Sequence, residues 1–530
     1  MSAMYPVKNF SSKQRVLVIS PPYRLSQASL PLGLAYITAI LQKAGHPVEV
    51  VDMDVHNYPA AEYTKILKEK NYDVLCMGGM ITAWNFLKFT AEYVKQIKPH
   101  VKIVLGGGVI SSTPKSFVSA VPSADIGVIG EGEDRILELM DAFEGGRKLS
   151  EVSDIVYREG DQIVHNPPGK DIENLDSIPF PAWEAFDVEH TYARFPSQHS
   201  LLRAKRQLSV VTTRGCPYQC TFCYTEKMVR QRSVENVIDE IEELKHRYNI
   251  GHIGIADDLF VVRKQRTIKF CEEMIRRKVN ITWAAAGRCN LVDKEFLKLM
   301  KAAGCIYMGL GIESGSDIVL KGIKKNQTPE QILNAVRAVK EAGITPGGTF
   351  IIGLPPETRE SIRETVNLYK TINSYRTHVN KFFFATPYPG TALYNEMVKR
   401  GRIKDEIAYF EKISQVGDAV DFLINCTEAF TDEELIKTKK EIEQEVFTDF
   451  LKKHPWYGWS QLVNQRFFWG KIKNVLVQLK MRGWKETMQF LVTKLKVKLK
   501  LMPDPYTRRW AFRSAYVNAQ TLLEGRMPTF

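Results

Sequence analysis

The chain has 530 residues, enough for two or three domains with cores of their own. Its 44% hydrophobic and 25% charged residues exclude a disordered or fibrous chain, and no apolar run reaches the roughly eighteen residues of a membrane span. The net charge of +13 is localised: Leu451 to Phe530 carries ten Lys and six Arg against Glu486, Asp504 and Glu524, so the tail holds the whole surplus and everything before it is neutral overall.

Residues 1–14 read as a polar leader. Between 15 and 148, short apolar runs alternate with helical patterns. A strand at 15–20 precedes Pro21, Pro22 and a helix over 32–44. Strands at 47–54, 73–79, 102–108 and 124–129 follow, with helices over 60–70 and 84–97. Such alternation describes a doubly wound parallel sheet, which binds ligands beyond the carboxyl ends of its strands. Residues 149–204 become irregular. A hairpin with a Glu-Gly-Asp turn is expected at 153–168, and the Pro-rich run 176–187 reads as an inter-domain linker, with its aromatics either docking the segment or helping to close an active site.

Residues 205–428 form the next unit. An apolar run at 208–212 leads into Arg214 to Tyr224, which sets Cys216, Cys220 and Cys223 in a C-x3-C-x2-C array. Three thiolates in a short loop hold a soft metal centre. A structural zinc site or an electron-transfer cluster takes four protein ligands, so an iron–sulfur cluster held by these three keeps one iron open to a small molecule. The other five cysteines (76, 271, 289, 305, 426) are dispersed, as core residues are. This pattern, with no signal peptide, suggests a reducing cytosol. After the loop come about six strand–helix units, too few for a closed eight-stranded barrel. Helices are expected over 233–248, 264–278, 293–303, 329–342 and 358–372. Glu226, Arg230 and Arg232 read as solvated charges at a helix entry. From 429 the chain is basic and mainly helical. A charged helix over 432–453 is expected against the barrel mouth, and beyond it aromatics interleave with Lys and Arg as in segments that lie on anionic membranes. A capping domain with a basic face fits equally well, whereas no nucleic-acid-binding module is recognisable.

The cysteine spacing, with Phe222 before the last cysteine and Tyr224 after it, resembles the cluster loop of the radical S-adenosylmethionine superfamily. The resemblance implies an α/β chain with three parts: a Rossmann-like cobalamin-binding domain, a partial (β/α)6 radical S-adenosylmethionine barrel, and the basic helical region. It implies a 4Fe-4S cluster on Cys216, Cys220 and Cys223. It also implies S-adenosylmethionine contacts from Phe222, Tyr224, Asp257, Asp258, Arg288, Glu313 and Gly353, with Asp257 and Asp258 at the amino group, Arg288 and Glu313 at the carboxylate and ribose, and Gly353 under the adenine. The loop 387–391 matches one at the same rim. For the first domain it implies cobalamin contacts from Pro22, Thr82, Gly107, Gly108, Gly130 and Glu131. The cofactor would be base-off and free of a histidine ligand, because the loop after the first strand holds no His and His56 follows the second strand.

The reaction implied is methylation of an unactivated carbon of a lipid-like or tetrapyrrole-like small molecule: a deoxyadenosyl radical takes a hydrogen and cobalamin delivers the methyl group. The alternatives are an oxidative cyclase of the magnesium-protoporphyrin ester cyclase type and a non-catalytic, membrane-tethered cobalamin carrier or sensor. An external one-electron reductant of the flavodoxin or ferredoxin type is implied, in the cytoplasm or at the inner face of the membrane. No phosphate-binding Gly-x4-Gly-Lys loop or Gly-x-Ser-x-Gly elbow is present, and Cys76 alone does not supply the cysteine-bearing N-terminal domain of the tRNA methylthiotransferases.

Overall fold

A computed structural model describes residues 13–22, 30–56, 58–189, 191–192, 206–373, 381–416 and 424–455. The aromatic and basic stretches beyond residue 455, on which the membrane expectation rests, lie outside the described residues, as does most of the leader.

The first sheet contains β1 (Val16–Ser20), β2 (Val48–Asp52), β3 (Val74–Gly78), β4 (Lys102–Gly106), β5 (Ile126–Val128), β6 (Ile155–Glu159) and β7 (Gln162–His165), in the order β2-β1-β3-β4-β5-β6-β7. The first five are parallel. Every residue of β1 and β3 is buried, as strands covered on both faces by helices must be. The hairpin forms where expected, and it is no free-standing connector: Ile155, Val156 and Tyr157 are buried, and β6 pairs antiparallel with β5 to extend the sheet.

The second sheet is parallel, ordered β15-β14-β13-β12-β11-β8 from β8 (Gln207–Val210), β11 (His252–Ile255), β12 (Thr282–Gly287), β13 (Cys305–Glu313), β14 (Thr345–Ile352) and β15 (Lys381–Phe384). It is the open half-barrel of six strands that the sequence implied. Along β13 the strand period separates the two faces: Met308, Leu310 and Ile312 are buried, while Tyr307, Gly309 and Gly311 keep partial access. A two-stranded antiparallel pair, β9 (Thr213–Arg214) with β10 (Arg230–Gln231), closes the neck of the cysteine loop.

The helices start where side chains can satisfy their free amides. Ser233 caps Val234–Tyr248, Thr358 caps Arg359–Ile372 and Thr431 caps Asp432–Lys453. The last of these buries Leu435, Ile442, Val446 and Phe450. It lies along Arg359–Ile372, held by Arg363–Glu445 at 2.8 Å and Arg359–Glu434 at 2.6 Å. Helices Glu133–Phe143, Asp317–Gly322, Ala392–Lys399 and Glu406–Val416 were not legible in the sequence. The last of these joins the two sheets: Phe410 meets Trp84 edge-on at 5.0 Å, and Asn85 N donates to Ser414 Oγ at 3.1 Å.

A candidate site between two sets of strand ends

The cysteine loop is fixed by backbone contacts from three directions. Cys216 N donates to Glu226 O at 2.8 Å, Thr221 N to Ile323 O at 3.1 Å, and Leu393 N to Thr221 O at 2.8 Å. Gly215, at φ +90°, has no room for a side chain, because one would strike the Met228 carbonyl across the neck. Cys216 and Cys220 are half-buried and Cys223 is exposed, whereas the other five cysteines are all buried, as expected of core residues. Among the described residues no three His, Cys, Asp or Glu side chains converge as ligands of a single ion would. A four-iron cluster does not ask for that convergence, since each thiolate takes a different iron.

Beside the loop stands a layer of buried charge. Arg288, just beyond β12, donates from Nη1 to Cys220 Sγ at 3.6 Å and from Nη2 to the Lys325 carbonyl, and its guanidinium lies 3.7 Å over the Tyr218 ring. Its Nε is buried with no partner among the described residues. Glu313, at the end of β13 and at φ +64°, pairs with Lys325 at 2.7 Å and accepts from Thr349 Oγ1 at 3.2 Å. Lys325 Nζ lies 5.9 Å from the centre of the Phe222 ring. A zwitterionic ligand carrying a sulfonium and an adenosyl group fits such a set of buried ions, aromatic faces and one spare donor. Lys325 was missed in the sequence, where a lysine in a Lys-Lys pair looks like surface charge; it is 5% exposed.

Two of the expected contacts have other duties. Asp257 is buried and engaged, its carboxylate accepting from Thr212 N at 2.6 Å, Thr212 Oγ1 at 2.6 Å and Thr213 N at 3.0 Å. It ties the end of β11 to the end of β8 and leaves the exposed Asp258, which accepts from Gly215 N at 3.3 Å, as the acid beside the loop. Gly353, at φ +87°, makes room for Leu435 of the last helix, 2.9 Å from where its Cβ would stand, so its missing side chain is explained by packing. Tyr224 is half-exposed, and its ring lies over Gly390 of the 387–391 loop, 2.7 Å from the position a Cβ would take.

Opposite this rim stand the strand ends of the first sheet. Gly107, at φ +83°, follows β4 and approaches the Gly79 backbone more closely than any side chain would allow. Among the described residues nothing stands within 4 Å of where a Cβ on Gly108 or Gly130 would point, so a flat ligand has backbone to rest on. Met80, beyond β3, is 57% exposed. Pro22 is half-buried after β1, and Thr82 lies in the turn Ile81–Ala83, where its carbonyl accepts from Ser414 Oγ at 3.2 Å. His56 ends the short helix Met53–His56, stacked on Tyr58. These glycine-lined strand ends fit a macrocycle.

Glu131, expected at that macrocycle, is engaged elsewhere. It pairs with Arg230 at 2.6 Å and with Arg214, while Glu133 takes the other arm of Arg214 at 2.5 Å. Arg230 and Arg232 are therefore not solvated helix-entry charges. Arg230 is clamped between domains, and Arg232 is buried against Glu240 at 2.5 Å with the Phe180 ring beside it. Trp183 and Phe186 of the Pro-rich crossing are buried in the core of the second unit. The crossing docks through its aromatics.

A half-barrel whose strand ends carry a three-cysteine loop, facing a parallel sheet with glycine-lined strand ends, defines a class: the chain belongs to the cobalamin-dependent radical S-adenosylmethionine enzymes. The model of the Radical SAM superfamily matches residues 210–369, and that of the B12 binding domain matches residues 25–140. The chain is 32% identical to an uncharacterized methyltransferase, PH0819, of Pyrococcus horikoshii, over 72% of this chain and 82% of that protein. It is 30% identical to the anaerobic magnesium-protoporphyrin IX monomethyl ester cyclase of Rubrivivax gelatinosus, over 76% of this chain and 72% of the cyclase. Its fold is shared by the cobalamin-dependent S-adenosylmethionine radical enzyme OxsB, solved with aqua-cobalamin and S-adenosylmethionine bound; the TM-score is 0.64 at 18% identity, over 97% of this chain and 79% of OxsB. The chain's cofactors are accordingly a 4Fe-4S cluster, S-adenosylmethionine and cobalamin.

Proposed function

We propose that this protein methylates an unactivated carbon of a lipid-like or tetrapyrrole-like small molecule. When bound, the cluster and S-adenosylmethionine supply a 5′-deoxyadenosyl radical and cobalamin supplies the methyl group. The chain's own part is to hold Cys216, Cys220 and Cys223 at the half-barrel mouth, to place Arg288, Glu313 and Lys325 beside them, and to present Gly107, Gly108 and Gly130 across the cleft. The observation that carries the reading is that both domains meet at one loop, which Leu393 holds from the half-barrel side and Glu131 from the other. A substrate carbon held between them would lie between the residues that would hold the radical source and those that would hold the methyl source. A base-off cobalamin suits this role, and His56, stacked on Tyr58, supports it. The reductant is taken to be a flavodoxin or ferredoxin.

Oxidative ring closure is the second reading, supported by the 30% identity to the Rubrivivax cyclase. Anaerobic turnover with labelled S-adenosylmethionine separates the two: methylation yields a product carrying the labelled methyl, and cyclisation yields deoxyadenosine with an unlabelled, more oxidised product. Failure to form any 5′-deoxyadenosine with a strong reductant removes both and leaves the carrier or sensor role. Among the described residues no helix is long and apolar enough to cross a membrane. Peripheral contact through the basic tail is tested by sedimentation with anionic liposomes before and after deletion of residues 456–530. Co-sedimentation that survives the deletion refutes a membrane role for the tail.

A further inference from the structure

In the register of the two-stranded neck, Arg214 stands directly opposite Arg230. Like charges in that position oppose closure of a ladder. The neck nevertheless closes, because both guanidiniums meet one carboxylate from the other domain. Arg214 Nη1 donates to Glu131 Oε1, Arg230 Nη1 donates to Glu131 Oε2 at 2.6 Å, and Ile172 N adds a donor to the same oxygen at 3.0 Å. The outer arms are taken by Glu133 at 2.5 Å and Glu226 at 2.7 Å. The Arg230 and Glu131 side chains are only 6% and 11% exposed. Removing Glu131 would leave Arg214 with Glu133 alone and Arg230 with Glu226 alone, so the one carboxylate that bridges the two like charges would be gone, and a buried ion that loses part of its pairing is disfavoured.

Glu131 also continues a chain of contacts from the cobalamin-binding face. Gly108–Ser112 is the short helix that follows Gly107, and its Ser111 Oγ accepts from Gly130 N at 2.9 Å. Gly130 precedes Glu131, and Arg214 precedes Gly215 and Cys216. The path from the macrocycle's backbone platform to the first cluster ligand thus runs through one hydrogen bond and one ion-pair cluster.

We propose that Glu131 is a positioning residue that couples the two cofactor sites, so that cobalamin on the glycine platform holds the cysteine loop closed and the loaded cluster in turn tightens cobalamin binding. Linkage requires the effect to be reciprocal. The inference goes beyond the proposed reaction and does not depend on which carbon is methylated, because it is read from binding and spectroscopy.

The test uses the full-length chain under anaerobic conditions. Hydroxocobalamin affinity is measured by absorbance with the cluster reconstituted and without it, and hydrogen exchange is followed over residues 213–231. For the wild type the expected ratio of the two affinities is about tenfold, the size of effect usual for residues that orient metal ligands, and cobalamin protects the neck amides. In Glu131→Gln both cofactors still bind, the ratio falls to about one, and the protection is lost. Should that variant fail to fold, Ser111→Ala, which removes only the link to Gly130, is read in the same way. A wild-type ratio of one, or a variant that keeps the wild-type ratio and protection, overturns the coupling.

Discussion

At the scale of single residues, Arg288 shows how one side chain takes its meaning from distance. It was expected to reach the carboxylate and ribose of S-adenosylmethionine, and it stands 3.6 Å from the sulfur of Cys220, a proposed cluster ligand, with no partner for Nε among the described residues. Hydrogen bonds to the sulfurs help set a cluster's potential. Arg288→Gln removes the charge and the N–H donation to Cys220 Sγ, so the cluster midpoint potential, followed by redox-poised electron paramagnetic resonance, shifts to a more negative value. S-adenosylmethionine also binds more weakly, by about tenfold for one lost charge-assisted contact of roughly 1.5 kcal/mol. An unchanged potential with weaker binding would confine Arg288 to the ligand. Asp257 teaches the opposite lesson. Its position at a strand end suggested a ligand contact, yet three donors from Thr212 and Thr213 engage its carboxylate.

At the scale of elements, the turn between β14 and the helix Arg359–Ile372 carries an acid that the sequence did not single out. Glu357 is 1% exposed; its Oε2 accepts from Gly353 N, and its Oε1 has no partner among the described residues. Burial, set against bonds from the Gly353 and Leu354 backbone, pushes its carboxyl up to about 8. An acid with its folded pKa above its unfolded value contributes stability in full below the unfolded value and loses it as pH rises toward the folded one. The urea midpoint should therefore fall between about pH 4.5 and pH 8. In Glu357→Gln, which keeps an acceptor for Gly353 N, that part of the decline disappears. Parallel pH profiles for the two proteins would show that Glu357 titrates alike folded and unfolded. Glu131 contributes with the opposite sign. Burial raises its pKa, Arg230 and Arg214 more than offset this, and the stability it lends is lost only as acid protonates it.

Across the whole molecule, one hydrophobic core cluster draws residues from both domains. Trp84 of the first domain is fully buried between Phe117 of its own domain and Phe410, which follows the half-barrel in the chain. Trp84→Ala should cost about 3–5 kcal/mol. Because the cavity opens between domains, thermal unfolding should separate into two transitions by calorimetry. A single transition lowered as a unit would mean that the domains remain coupled without this contact, through the Glu131 cluster and the Asn85–Ser414 bond.

The amino-acid sequence by itself determined what is local. Three cysteines at fixed spacing and apolar runs alternating with helical periods act over a few residues, so the cysteine loop, the parallel sheets and the half-barrel could be read directly. Which charges meet was decided only by the tertiary structure. Glu131 lies 83 residues before Arg214 and 99 before Arg230, and Lys325 lies 12 beyond Glu313; nothing in composition or periodicity marks such pairs. The physical reason is that an ion is kept buried by whatever charge the fold carries to it, and chain separation does not encode that meeting.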